Sequence, residues 1–394
     1  MTNPRPCGET ERVGTWGKIL GTASVVTGAI GAIAAGGVTA QRRAVGKYRR
    51  LAAEGGDVYD ALTPDRSYTV ASADGVSLYV EEVGPADAPL TVVFAHGWTL
   101  RMGSWHYQRI GLSGSGFGEP GASPRSPQAR LVFYDQRSHG QSGRALPGRS
   151  TLPAIGEDLA AVIATAAPDG PVVLVGHSMG GMAILALAAA EPELIADRVV
   201  GVALVDTSAY LDSGKTRRPT LMGGSALVRA FTATASRYPR MFERGRPATR
   251  DAVWLLTRNF GFADPQVPTQ VVDYVDQMIA DTPIEVIAEF LPAVLAHDLR
   301  DGLTALAPLP AVVICGSADR MLPVAQSEAL AQALPLAELV IVPGAGHNVM
   351  LENPTATTEA LRELLWRAAS EAGIKGAKGH RRAARADDRR SATA

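Results

Sequence analysis

LTVVFAHG (90–97), ARLVFYDQRSHG (129–140), PVVLVGHS (171–178), ADRVVGVALVD (196–206), PAVVICGSAD (310–319) and AELVIVPG (337–344) share one pattern: an apolar run that ends in a polar or glycine-bearing loop. A strand covered on both faces has no wet side, so such runs predict parallel strands inside a sheet. SYTVASADGVSLYVEEVG (67–84) instead alternates apolar and polar positions on either side of Ala73-Asp74-Gly75, which predicts a hairpin. Helical spacing lies between the runs. TLPAIGEDLAAVIATAA (151–167) places Leu152, Ile155, Leu159, Val162 and Ile163 on one face, and further helices are expected at 104–112, 179–190, about 323–333 and 354–371. Strand–helix alternation of this kind predicts an α/β fold, a mostly parallel central sheet with helices on both faces.

The alternation is interrupted once. Between the runs ending at Asp206 and beginning at Pro310 lie helical patterns without strands, ALVRAFTAT, DAVWLLTRNF, QVVDYVDQMIA and IEVIAEFLPAVL. The block is too long for a loop. It predicts a helical cap, about 210–297, inserted before the late strands. GLSGSGFGEPGASPRSPQA (111–129), rich in Gly, Ser and Pro, reads as a surface insertion.

Charge and hydropathy separate the ends from the body. Residues 19–40 carry no charge over 22 positions, and a helix of that length spans about 33 Å, enough for a bilayer core. Arg42, Arg43, Lys47, Arg49 and Arg50 follow it and outnumber Arg5, Arg12 and Lys18 before it, which places the body on the cytoplasmic side if the segment is an anchor. Two other readings stay open: a cleaved export signal ending near Val38-Thr39-Ala40, and a helix lying on a membrane or on the protein. The chain thus divides into an N-terminal hydrophobic segment with basic flank (1–50), a body (51–371) and a basic tail (372–394) expected to be disordered. With an overall charge of −1, +6 at the N-terminal segment and +5 at the tail, the body carries −12. That sign argues against a nucleic-acid-binding body. Cys7 and Cys315 form neither a disulfide framework nor a metal-ligand spacing.

The chemistry concentrates at the ends of the apolar runs. GHSMGG (176–181) stands between a strand run and the helical run MAILALAAA (182–190). Such a G-x-S-x-G turn is so tight that its flanks must be nearly free of side chains, and it lifts the serine hydroxyl above the sheet edge. Ser178 is therefore the candidate nucleophile. A serine needs a base and an acid that orients the base. Downstream, His347 lies in a glycine-rich loop after the last strand run, whereas His297 falls in the cap pattern and His380 in the tail. Asp319, at the end of the run 310–319, is the candidate acid, with Asp206 as runner-up. Two amides must face the developing oxyanion. Met179 N–H, at a helix start, and Trp98 N–H, in the loop after LTVVFA, are the candidates.

FAHGW, YDQRSHGQS, VGHSMGG, CGSADRMLP and GAGHNVMLENP resemble, in order and spacing, the successive signatures of the α/β-hydrolase superfamily. The likeness covers about residues 67–371. It implies the α/β-hydrolase fold, Ser178, Asp319 and His347 as nucleophile, acid and base, and Trp98 and Met179 as oxyanion donors, with neither cofactor nor metal. His96 and the Asp135–Arg137–His139 loop match positions read as structural supports. A serine at position 178 separates the chain from the branches that carry aspartate there. HGW with Trp105 and SMGG is similar to cofactor-free haloperoxidases and small esterases. The expected activity is cleavage of a carboxylic ester or thioester through an acyl-enzyme. Acyl transfer or perhydrolysis by the same groups is one alternative, and an inactive tethered interaction protein another. Phe231, Tyr238, Phe242, Trp254, Phe260, Phe262, Tyr274 and Phe290 in the cap lean toward a small-molecule apolar acyl substrate.

Overall fold

The computed structural model describes residues 59–113, 128–211 and 226–374. The segment 19–40, most of the 111–129 insertion and the basic tail from 375 onward lie outside these residues.

Eight strands form one sheet: β1 (Arg66–Ala71), β2 (Ser77–Val83), β3 (Thr91–Ala95), β4 (Arg130–Tyr134), β5 (Val172–His177), β6 (Val199–Val205), β7 (Ala311–Gly316) and β8 (Ala337–Val342). Their spatial order is β1-β2-β4-β3-β5-β6-β7-β8, with β2 antiparallel to both neighbours and all later pairs parallel. The 67–84 segment is the expected hairpin, Ser67 facing Glu81 and Val70 facing Leu78.

The helices are α1 (His106–Leu112), α2 (Leu152–Ala166), α3 (Met179–Ala190), α4 (Pro192–Arg198), α5 (Ala226–Arg237), α6 (Pro239–Leu256), α7 (Thr269–Asp281), α8 (Ile284–Leu295), α9 (Gly302–Leu306), α10 (Val324–Ala333), α11 (Val349–Glu352) and α12 (Pro354–Glu371). One boundary differs from the sequence reading. The run 196–206 begins as the end of α4, and β6 starts only at Val199. Pro192 at the first helical turn opens that helix, since its missing N–H costs nothing there.

Successive strand residues point to opposite faces of the sheet. Val92, Phe94, Leu131, Phe133, Val173 and Val175 enter one apolar cluster with Leu361, Leu364 and Leu365 of α12. Val93, Ala95, Val132, Tyr134, Val172 and Leu174 enter a second with Leu159 and Val162 of α2 and Ile184 of α3. Both faces are therefore covered, which is why these strands read as unbroken apolar runs.

Between β6 and β7 the chain leaves and re-enters the body through a single antiparallel bridge, Tyr210 to Asp298. Helices α5 to α8 lie between those two residues. Trp254, Phe262, Val271, Val275 and Met278 join the cluster built on Phe94 and Phe133, so these helices share their apolar interior with the sheet. Of the cap aromatics, Trp254, Phe262 and Phe290 are buried packing residues, whereas Tyr238 and Phe260 are exposed.

Candidate active site

β5 ends at His177, and Ser178 follows with φ 51° and ψ −116°, a left-handed conformation uncommon for a residue with a side chain. Its neighbours impose it. Ser178 N–H donates to Val205 O on β6 (2.9 Å), and the Ser178 carbonyl accepts from Thr207 Oγ1 (2.7 Å). The two glycines are required by close approach. A Cβ on Gly176 would sit 2.5 Å from Gly180 O, and one on Gly180 would sit 2.1 Å from Ala95 O. The turn is thus pressed between β3 and its own helix, and the serine is the residue left projecting.

The structure brings Asp319 and His347 to this serine. His347 Nε2 lies 3.1 Å from Ser178 Oγ, and His347 Nδ1 lies 2.7 Å from Asp319 Oδ2. Asp319 Oδ1 accepts from the amides of Met321 (2.7 Å) and Leu322 (2.9 Å), so the carboxylate is held on both oxygens. Nδ1–H donating to Asp319 leaves Nε2 as the acceptor facing the hydroxyl. Burial alone depresses the imidazole. The charge and hydrogen bond of Asp319, with the charge of Asp206, outweigh it and raise the His347 pKa above its ordinary value of 6.5.

Asp206, the runner-up acid, spends both oxygens on backbone amides rather than on the His347 ring. It is 1% exposed and has φ 42°. Its Oδ1 accepts from Gly316 N (2.9 Å), at the end of the strand leading to Asp319, and its Oδ2 accepts from Val349 N (3.1 Å), two residues past His347. One buried carboxylate thus ties the loop of Asp319 to the loop of His347. Burial and the nearby Asp319 charge push its own pKa up.

His177 is a further support that sequence reasoning missed. Its Nε2–H donates to the carbonyl of His347 (2.9 Å), and burial holds it neutral, its pKa brought down to about 3. Its position directly before the serine was the only available signal. Glu352 was missed too. Its Oε1 accepts from Ala263 N (2.8 Å) and Asp264 N, and its Oε2 from Gly346 N (2.5 Å), joining the cap's return to the loop of the base.

The loop after β3 is fixed by two neutral histidines. His96 donates from Nδ1 to Gly97 O (2.8 Å) and accepts at Nε2 from Gln136 N (2.9 Å). His139 donates from Nδ1 to Arg137 O (2.9 Å) and accepts at Nε2 from Thr99 N (3.1 Å). Burial pulls the His139 pKa down to about 4. This loop carries Trp98. Among the described residues neither Trp98 N–H nor Met179 N–H has a hydrogen-bond acceptor, and Met179 opens helix α3, where partial positive charge accumulates. The Trp98 indole packs with Leu152, Met179, Met182, Val286 and Phe290, an apolar wall made jointly by the body and cap helix α8. A cavity of about 510 Å³ elsewhere is lined by Asp60, Arg101, Asp135 and Tyr274 and by none of Ser178, Asp319 or His347. Its arginines, Arg101 and Arg109, are paired with carboxylates. Among the described residues no group of three or more His, Cys, Asp or Glu is arranged to hold a metal ion.

A sheet of this order with a serine on the β5–α3 turn defines an enzyme class, and the chain belongs to the alpha/beta hydrolase family, whose profile matches residues 92–360. It is similar to RutD of Yersinia enterocolitica, which carries the name of a carbamate hydrolase, at 28% identity over 62% of this chain and 80% of that protein. It is also similar to the bifunctional esterase/perhydrolase DCH of Acinetobacter calcoaceticus, at 34% identity over 28% of this chain and 35% of that one. Among solved structures it resembles a thermophilic esterase from Thermogutta terrifontis, with TM-score 0.59, 25% identity, and 77% and 99% of the two chains covered.

Proposed function

We propose that the chain is a serine hydrolase of carboxylic esters or thioesters, with Ser178 as nucleophile, His347 as general base and Asp319 as the orienting acid. The observation that carries the reading is the continuous chain of contacts Ser178 Oγ–His347 Nε2 (3.1 Å) and His347 Nδ1–Asp319 Oδ2 (2.7 Å). In the proposed reaction Nε2 takes the hydroxyl proton as Oγ attacks the acyl carbon, and the oxyanion rests on the Trp98 and Met179 amides. The Nε2 proton then passes to the departing alkoxide or thiolate as its bond to the acyl carbon breaks. Water, deprotonated by the same imidazole, then attacks the acyl carbon, the bond to Oγ breaks, Oγ takes the proton back from Nε2, and the acid leaves. One oxyanion donor is worth about 10²–10³ in rate.

The apolar wall around Trp98 supports an apolar acyl group, small or lipid-like. Residues 19–40 are proposed to tether the enzyme to a membrane with the body on the cytoplasmic side. Among the described residues no single helix is long and apolar enough to span a bilayer. A second reading replaces water by another acceptor, hydrogen peroxide or an alcohol, on the same acyl-enzyme. The likeness to an esterase/perhydrolase favours keeping it in the test.

The experiment is labelling by a fluorophosphonate probe, compared between wild type and Ser178→Ala, followed by a screen of acyl esters and thioesters of graded chain length with and without peroxide. Wild type should label and Ser178→Ala should not. Equal labelling of both removes Ser178 as nucleophile.

A further inference from the structure

Helix α6 of the cap carries a stripe that neither the site nor the core uses. Met241, Gly245, Thr249, Ala252 and Leu256 recur every three or four residues, so they line one side of the helix, with Tyr238 at its N-cap and Phe260 in its continuation. None is charged. Tyr238 is 57% exposed, Met241 58%, Leu256 56% and Phe260 45%. The opposite side is the packing side, with Trp254 fully buried against the body. A helix of this length presents a ridge about 27 Å long. Large apolar side chains aligned on one exposed ridge mark an interaction surface, whereas scattered ones do not.

The charges beside the ridge have one predominant sign. Arg237 and Arg244 stand on one flank of the ridge, exposed, and neither forms an ion pair among the described residues, while Arg246 on the other flank pairs with Glu243. Glu243 and Asp251 are the only acidic residues from 237 to 260, and both are partly buried. The body as a whole is strongly acidic, so this basic strip runs against the local average. Whatever covers the ridge must accept apolar side chains and bring negative charge to the flank that carries Arg237 and Arg244. An anionic lipid surface does both at once. A second copy of this chain paired through the same ridge would set these arginines against each other.

We infer that α6 is a membrane-docking helix, which lays its Tyr238–Met241–Leu256–Phe260 ridge into the headgroup region of an anionic bilayer while Arg237 and Arg244 meet lipid phosphates. The inference stands apart from the assignment of Ser178, since docking requires no chemistry. It also has a consequence for the site. The ridge runs into a π-helical turn, Thr257–Gly261, whose Gly261 carbonyl accepts from both Asn348 N (3.0 Å) and Asn348 Nδ2 (3.1 Å), beside His347. Arg320, beside Asp319, donates to Asn259 O (2.9 Å). The docked face is therefore bonded directly to the two loops that hold acid and base, and an apolar substrate would arrive from the bilayer at that edge.

The test is hydrogen exchange of the full-length chain, read by mass spectrometry, alone, with phosphatidylcholine vesicles, and with vesicles of phosphatidylcholine and phosphatidylglycerol. Exchange across residues 237–261 should slow by roughly tenfold or more with the anionic vesicles only, and the effect should fade at high salt. Met241→Glu with Leu256→Glu, and separately Arg237→Glu with Arg244→Glu, should abolish the slowing while hydrolysis of a soluble ester stays at the wild-type rate. Three results overturn the inference: vesicles that bind the chain without slowing exchange in 237–261, equal slowing with zwitterionic vesicles, or slowing produced by raising protein concentration without lipid.

Discussion

Asp206 and His177 show what the reacting side chains leave unsaid. Neither reaches Ser178, yet the first holds the amides of Gly316 and Val349 and the second holds the carbonyl of His347. In the proposed mechanism both would act as positioning residues for His347. Asp206→Asn tests this at one atom. An amide nitrogen in place of one oxygen turns a donor toward a backbone N–H, leaving that N–H unsatisfied at a cost of about 1–3 kcal/mol. Displacing the base loop should lower kcat by about 10- to 100-fold. The pH profile then separates positioning from a general loss of structure. His347 must be neutral at Nε2 to act as base, and its pKa is raised above 6.5 with Asp206 as one of the raising charges. Activity of the wild type should therefore fall as pH drops through a value above 6.5, and in Asp206→Asn that acid limb should move to lower pH. A limb that stays in place while kcat falls would reduce Asp206 to a structural part.

At the scale of elements, the joint between the cap and the base loop is the informative one. Glu352, on α11, gathers three amides from the cap's return and from Gly346. Burial pushes its pKa up, although the three donors pull the other way. Glu352→Ala should leave those amides without acceptors, destabilise the fold by about 1–3 kcal/mol, and speed hydrogen exchange at 261–264 and 344–349 together. Faster exchange at only one of the two segments would mean that Glu352 does not couple them. This joint also marks the limit of what the sequence discloses. The contact of Ser178, Asp319 and His347 could be anticipated because each lies at or just past the end of an apolar run, and a strand end is where a side chain can be presented. Asp206 ends such a run as well, and only the path of the backbone decides whether it faces an imidazole or two amides. Backbone acceptors such as Glu352 leave no periodic trace. The α4–β6 boundary was hidden for a related reason. Ile195 and Val199 are both buried and close in sequence, so one apolar run spans two elements, and only Pro192 signals the helix.

At the scale of the molecule, entry and exit through one bridge are what a cap folding as a separate unit over a finished sheet would show. Its interior argues otherwise. Trp254 and Phe262 belong to the cluster that contains Phe94, Trp105 and Phe133, and the second wall around Trp98 is built from α2, α3 and α8 together. No apolar boundary divides the two, so unfolding the cap would expose the face of the sheet beneath it. The chain should therefore unfold its described part in one cooperative transition. Trp254 is the place to test this. It is fully buried, and its Nε1–H donates to Asp273 Oδ1 (2.6 Å) across the turn between α6 and α7. Trp254→Ala removes that bond and leaves a large void, at about 3–5 kcal/mol. At roughly 2 °C per kcal/mol for a chain of this size, Tm should fall by about 6–10 °C. Calorimetry should still show a single transition, and esterase activity should be lost along the same curve. Two separated transitions in Trp254→Ala, with the sheet melting at the wild-type temperature, would make the cap an independent unit and leave the shared core without energetic meaning.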